Sequence, residues 1–256
     1  MVYAEERQQD MVRLVSDHRR LSVAALASQY DVTTETVRRD LSHLERLGLL
    51  RRVHGGAVPA GALSVVEAEL DERASTNTAV KDAIARAALS QLPPDGSTVL
   101  VDAGSTTVRL AAALPPEHRL TAFTHSLPVA ARLVEHPRVE LHLLPGRVRA
   151  TTQAAVGADA VAALDRIRAD TVFLGANALS LDHGLSTPDA DEAATKRALV
   201  ASARRVVLLV DSSKLGTESA VRFATLAEVD CLVTDSGITA EDHEQLESLG
   251  IEVVVA

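Results

Sequence analysis

The sequence predicts an α/β chain in two unequal parts: a small helical unit closed by a hairpin, then a larger unit built on a mostly parallel sheet. Three observations predict it. Residues 4–48 show helical spacing of apolar residues and no strand-like run. Beyond residue 73, continuous apolar runs alternate with helical stretches, the pattern of strands covered on both faces. The charge is also divided. Residues 1–60 carry nine Arg against eight Asp or Glu, while the remainder carries 17 basic and 27 acidic residues, within a net charge of −9.

Taken in order, residues 4–18 place Met11, Leu14 and Val15 on one helical face. Ser22 can cap a second short helix through Leu26 and Ala27. After Tyr30-Asp31-Val32, Thr33 or Thr34 caps a third helix with the apolar stripe Val37, Leu41, Leu44, and Gly48 ends it. LLRRVHGGAV reads as a strand, a Gly-Gly turn and a return strand. The boundaries expected are a winged helix-turn-helix over 1–58, a linker over 59–72 and an α/β unit over 73–256. Strands are expected at 97–102, 120–124, 139–144, 171–175, 206–210, 231–235 and 253–255. Helices are expected at 77–91, 106–114, 126–135, 154–168, 190–204 and 239–248.

Three helices and a hairpin suit major-groove reading, with the N-terminal residues of the third helix facing base edges. Thr34, Glu35, Thr36, Arg38 and Arg39 are available there, and Ser22 and Thr33 at the helix starts join them as candidate DNA contacts. The hairpin can lay Arg51, Arg52 and His54 along phosphates, with Gly55 allowing close approach. A three-helix protein-binding module with a solvated Arg face has the same spacing, so spacing alone leaves both open.

In the larger unit, VDAGSTTVRLAAAL ends a strand at Asp102, turns at Gly104 and opens a helix with Ser105, Thr106 and Thr107. Free amides at that start favour an anion, although such residues also cap helices routinely. Four further polar groups sit at strand or helix ends: Thr124-His125-Ser126, Gly146-Arg147, Asp189 with Glu192 and Lys196, and Asp211-Ser212-Ser213-Lys214. Glu192 and Lys196, four apart, could equally form an exposed ion pair. Of 26 basic residues only Lys81, Lys196 and Lys214 are lysines, which marks positions where a compact ammonium could be required.

LSVAALASQYDVTTETVRRDLSHLERLGLLRRVHGGAV resembles the N-terminal domain of the DeoR family of bacterial regulators, through its TVRRDL helix and RVHGGA wing. The second unit resembles the family's sensor domain, itself similar in fold to ribose-5-phosphate isomerase. Asn77 and Lys81, DAGSTT, FLGANAL, GLSTPDADEAATKRA and DSSKLG follow in family order. The resemblance spans nearly the whole chain. It implies a homo-oligomer, dimer or tetramer, that binds a double-stranded DNA operator, usually as a repressor. It also implies a phosphorylated sugar as effector, with phosphate near Gly104 to Thr107, Lys214 as its cation, and Glu192 and Lys196 for sugar groups. Two departures stand out: His125 where the family commonly has Asn, and Pro145 before Gly146 where it commonly has Gly.

An isomerase using Asp189 or Glu192 as base, and a regulator whose second unit only oligomerises, are the rival readings. No His or Cys cluster has metal-ligand spacing, so neither metal nor other cofactor is expected. Single Cys231 excludes an internal disulfide. With neither a signal peptide nor a membrane span, a cytoplasmic location is expected.

Overall fold

The structure, a computed structural model, describes residues 4–18, 21–53, 56–59 and 69–256. It divides into two compact units, Met1–Leu63 and Ser64–Ala256.

The first unit contains α1 (Ala4–His18), β1 (Leu21–Ser22), α2 (Val23–Tyr30), α3 (Thr34–Arg46), β2 (Leu50–Val53) and β3 (Gly56–Pro59). Ser22 caps α2 by accepting the Ala25 amide at 3.0 Å, and Thr33 caps α3 by accepting that of Thr36 at 3.2 Å. The expected hairpin forms as β2 against β3, and β1 joins it on the other side of β3. Two residues are too few to stand out as a strand in the sequence. Gly56 is required here, because a Cβ would lie 2.1 Å from the Leu21 carbonyl oxygen. Met11, Val15, Leu26, Val37, Leu41, Leu44 and Leu50 form the core. Buried Asp40 is held by Arg7 and Gln8 from α1.

The second unit begins with α4 (Leu70–Ser75), which starts inside the stretch 59–72 read as linker; its start is tied down by the Leu70 amide, which donates to the Thr151 carbonyl at 2.9 Å. Next come α5 (Thr78–Ala87), β4 (Thr98–Val101), α6 (Ser105–Ala113), β5 (Leu120–Thr124), α7 (Leu127–Leu133) and β6 (Val139–Leu143). These lead into β7 (Arg147–Arg149), β8 (Ala154–Val156), α8 (Ala158–Leu164), β9 (Ala169–Leu174), β10 (Ala178–Ser180) and β11 (Gly184–Thr187). The chain closes through α9 (Ala190–Ala201), β12 (Ala203–Leu209), β13 (Val221–Ala224), β14 (Cys231–Thr234), α10 (Ala240–Ser248) and β15 (Glu252–Val255).

All seven expected strands assemble into one parallel sheet of order β15-β14-β12-β9-β4-β5-β6. Its two faces build two cores. Val99 and Val101 of β4 pack with Ile84, Leu110 and Leu133 on the α5–α6–α7 side, while Leu100 packs with Leu164, Leu199 and Leu246 on the opposite side. The strand order reverses at β4: the chain first runs outward to β5 and β6, then returns to place β9 on the other side. That reversal opens a crevice beyond the C-terminal ends of β4 and β9.

Two expectations are corrected. The helix expected over 154–168 is β8 followed, after Gly157, by the shorter α8. Ala154 to Val156 are consecutive buried residues that pair with β7, an apolar run whose pairing overrides its helical propensity. The helix expected to reach 204 ends at Ala201, and residues 203–204 already belong to β12. The sequence also gave no sign of the antiparallel sheet β10-β11-β13. Among the described residues no helix is long and apolar enough to cross a membrane.

Candidate functional site

On α3, the stripe Val37, Leu41 and Leu44 faces the core, so the helical period turns Thr34, Glu35, Arg38 and Arg39 outward. Arg38 and Arg39 both lean on Glu35, at 3.6 and 3.7 Å, with side chains 56% and 81% exposed. Such ion pairs are worth little and can be exchanged for phosphate. Arg52 on β2 is exposed and donates to Ser42 at 2.7 Å. Ser22 and Thr33 are exposed, but their hydroxyl oxygens serve as helix caps, and Thr36 is half-buried with its hydroxyl 2.9 Å from that of Thr33. Of Arg51 only the backbone is described, and His54 and Gly55 lie outside the described residues.

In the second unit, the crevice at the β4/β9 reversal is an open cleft of about 330 Å³. Gly104 and the first turn of α6 (Ser105, Thr106, Thr107) form one wall. The first intrahelical bond of α6 runs from the Val108 amide to the Gly104 carbonyl at 3.0 Å, so the amides ahead of it point out of the helix end. Gly175, Ala176 and Asn177, after β9, form another wall. Arg73, Glu192, Lys196 and Lys214 supply the charged groups.

Beneath the cleft lies Asp102, fully buried. It accepts hydrogen bonds from Lys196 Nζ and from the Gly175 amide at 2.9 Å, and its Oδ1 lies 3.0 Å from His125 Nε2. Burial pushes the Asp102 carboxyl up, but the Lys196 ammonium and the His125 hydrogen bond outweigh it and hold the group at about 2. Lys196 Nζ also donates to the Gly175 carbonyl at 3.1 Å, lies 3.9 Å from Glu192, and sits 5.5 Å above the Phe223 ring. Glu192 is bonded to Arg149 of β7, whose guanidinium also reaches Asp189 at 3.4 Å.

Lys214 donates to the Ala176 carbonyl at 2.9 Å and stands 4.0 Å from Asp211. Burial pushes its ammonium down to about 8, against the pull of Asp211 and helped by Lys81, Arg73 and Lys196. Lys81, buried, donates to the carbonyls of Arg73 (2.5 Å) and Thr76 (2.8 Å), and burial lowers it as well. The Nε of Arg73 is buried with no hydrogen-bond partner. The cleft therefore gathers Arg73, Lys196 and Lys214 beside an outward-facing helix start. Such a helix start favours an anion. As proton acceptors the carboxylates are poor: Asp102 is held at about 2 and Glu192 is engaged by Arg149.

Seven of the candidate ligand residues line the cleft: Gly104, Ser105, Thr106, Thr107, Glu192, Lys196 and Lys214. The others do not. Asp102 and Lys81 lie behind the lining. Thr124 donates to the Val101 carbonyl at 2.7 Å, Ser126 caps α7, and His125 touches Asp102 from the far side. Asp189 caps α9 by accepting the Glu192 amide. Gly146 permits close approach to β8, where a Cβ would lie 2.8 Å from the Val156 carbonyl oxygen. Asn77, exposed, takes the left-handed conformation (φ 53°) that links α4 to α5.

Sequence reasoning missed Arg73 and Arg149. The sole cation between residues 57 and 80 is Arg73, and its isolation in an acidic stretch was the available signal. Arg149 meets Glu192 only through the β7–β8 hairpin, which left no local mark.

Comparison with known proteins decides the family. The model of the DeoR-like helix-turn-helix domain matches residues 7–60, and that of the DeoR C-terminal sensor domain matches residues 76–236. The chain belongs to the DeoR family. It is 40% identical over 249 residues to the HTH-type transcriptional regulator GlpR of Haloferax volcanii, covering 97% of this chain and 96% of that protein. It is 31% identical over 249 residues to the glycerol-3-phosphate regulon repressor of Escherichia coli K12, covering 94% and 98%. Among solved structures, ribose-5-phosphate isomerase A of Methanocaldococcus jannaschii aligns over 55% of each chain, with 20% identity and a TM-score of 0.41. As a DeoR-family member, this chain is a DNA-binding transcriptional regulator and not an enzyme.

Proposed function

We propose that this DeoR-family regulator represses a sugar-metabolism operon and leaves its operator when a phosphorylated sugar enters the β4/β9 cleft. One observation carries the reading: three cations, Arg73, Lys196 and Lys214, line the same cleft as the open start of α6. In this reading the phosphate sits on the Ser105–Thr107 amides between Arg73 and Lys214, while Glu192 and Asn177 take sugar hydroxyls. A relative named for a glycerol-3-phosphate regulon supports a small phosphorylated ligand. On the DNA side, Thr34, Arg38 and Arg39 meet the major groove, and Arg51 and Arg52 meet phosphates.

The connections within the second unit supply a route from ligand to DNA. A ligand that competes for Glu192 loosens Arg149 on β7, and the same hairpin, through the Thr151 carbonyl, holds the Leu70 amide at the start of α4. That is the first described segment after the helix-turn-helix unit. A tenfold loss of operator affinity needs only ~1.4 kcal/mol of coupling.

Thermal shift against a panel of sugar phosphates, paired with gel shifts on the protein's own promoter, tests the reading. A ligand at ~100 times its Kd stabilises by ~2.7 kcal/mol and should release DNA. A panel without any stabilising member favours a second unit that only oligomerises.

A further inference from the structure

The edge strand β6 has a feature that neither DNA binding nor the cleft uses. It ends the seven-stranded sheet, and among the described residues no strand lies beyond it. The Leu120 amide donates to the Arg138 carbonyl at 3.2 Å, and the Leu144 amide donates to the Thr124 carbonyl at 2.8 Å. The backbone groups of residues 138, 140, 142 and 144 therefore turn toward β5. In a parallel pair this alternation turns the backbone groups of Leu141 and Leu143 and the Val139 carbonyl outward, while the Val139 amide is taken up by the His136 carbonyl at 3.5 Å.

We infer that β6 is a dimerisation edge, adding antiparallel to β6 of a second copy of this chain about a two-fold axis at Leu141. In this register the outward residues meet as Val139 with the partner's Leu143 and Leu141 with itself, all apolar and on one sheet face. On the other face, Glu140 meets the partner's His142. Both are exposed (72% and 43%) and pair with each other within one chain, His142 Nε2 lying 3.2 Å from Glu140 Oε1, so in the dimer each exchanges that partner for its counterpart across the axis. Opposite-charge and apolar cross-strand pairs each favour pairing by ~0.2–1 kcal/mol.

The surrounding surface agrees. Val139 and Leu141 pack toward the α5–α6–α7 core, and by alternation Leu143 shares that face. Leu143 is 52% exposed, and α7 on the same face begins at Leu127 (41%) and is capped by Val134 (69%). A two-fold axis perpendicular to the sheet brings the α7 helices of both copies to the same side, antiparallel, and covers these residues. Short strands and charges also serve to keep edges unpaired. The exposed apolar residues at both ends of this edge favour pairing instead.

Cross-linking tests the inference. E140C and H142C, both at exposed positions, are made in the full chain, expressed separately and together, and oxidised mildly. Opposed residues at this kind of pair stand ~4.5 Å apart, within disulfide range, so co-expressed variants should give at least ~10-fold more covalent dimer than either alone. Adding L143K to both should abolish it. No cross-link from co-expressed variants that melt like the wild type overturns the inference and leaves β6 a guarded free edge. Equal cross-linking of each variant alone also overturns it, because another register then holds.

Discussion

Lys214→Met separates what the cleft costs the apo protein from what it gives the ligand. In the folded chain burial and neighbouring cations bring the Lys214 ammonium from 10.5 to about 8. At 1.36 kcal/mol per pH unit, that is a penalty of about 3 kcal/mol at neutral pH, where both folded and unfolded forms carry the proton. The side chain is 24% exposed, which trims this figure. Methionine keeps much of the volume and removes the charge, but gives up the charged bond to the Ala176 carbonyl, worth ~1.5–2 kcal/mol. A net gain of about 1 kcal/mol remains, or about 2–4 °C in the melting of the sensor unit.

The sign with pH follows. Between about 8 and 10.5 the unfolded chain holds a proton that the folded chain has released, so wild-type stability rises through this window, while the variant lacks that rise. Phosphate binding should behave oppositely. An anion beside Lys214 favours the charged form, so wild-type affinity for a sugar phosphate is full below about 8 and falls as pH climbs past it. The variant binds more weakly, with no such fall. Calorimetric melting from pH 7 to 10 and titration of one bound sugar phosphate measure both. A variant that melts no higher than the wild type at pH 7 and keeps the wild-type pH slope would refute the reasoning.

Other predictions follow from the same geometry. Arg38→Ala or Arg39→Ala should weaken operator binding by ~1–3 kcal/mol where the side chain reads a base, or lower the salt slope by ~1 where it holds a phosphate. Fluorescence anisotropy at several salt concentrations distinguishes the two, and ligand-induced stabilisation should be unchanged. Arg149→Ala should leave sugar-phosphate binding measurable by calorimetry while the ligand no longer releases DNA; normal release would break the proposed route through the β7–β8 hairpin. Asp102→Asn leaves Lys196 buried without its carboxylate and should cost ~3–5 kcal/mol in denaturant unfolding. Because folding lowers Asp102 from 3.8 to about 2, its contribution to stability is present above 3.8 and should be lost as pH falls through about 2.

The sequence by itself determined the elements and their order. Val37, Leu41 and Leu44 set the buried face of α3 and thereby turned Arg38 and Arg39 to solvent. The apolar runs named every strand of the parallel sheet, and Gly104 to Thr107 marked an anion-ready helix start. These signals are local, written in spacing of two to four residues or in a single turn.

Only the tertiary structure decided which polar residues meet. Helix capping took up Ser22, Thr33, Ser126 and Asp189, the Val101 carbonyl took up Thr124, and the β4/β9 reversal gathered Lys196, Glu192 and Lys214 with the unexpected Arg73. Arg149 and Glu192 lie far apart in sequence and are joined by a short antiparallel hairpin. A single chain holds no periodic trace of such a long-range pair, because the register of two distant segments depends on everything packed between them.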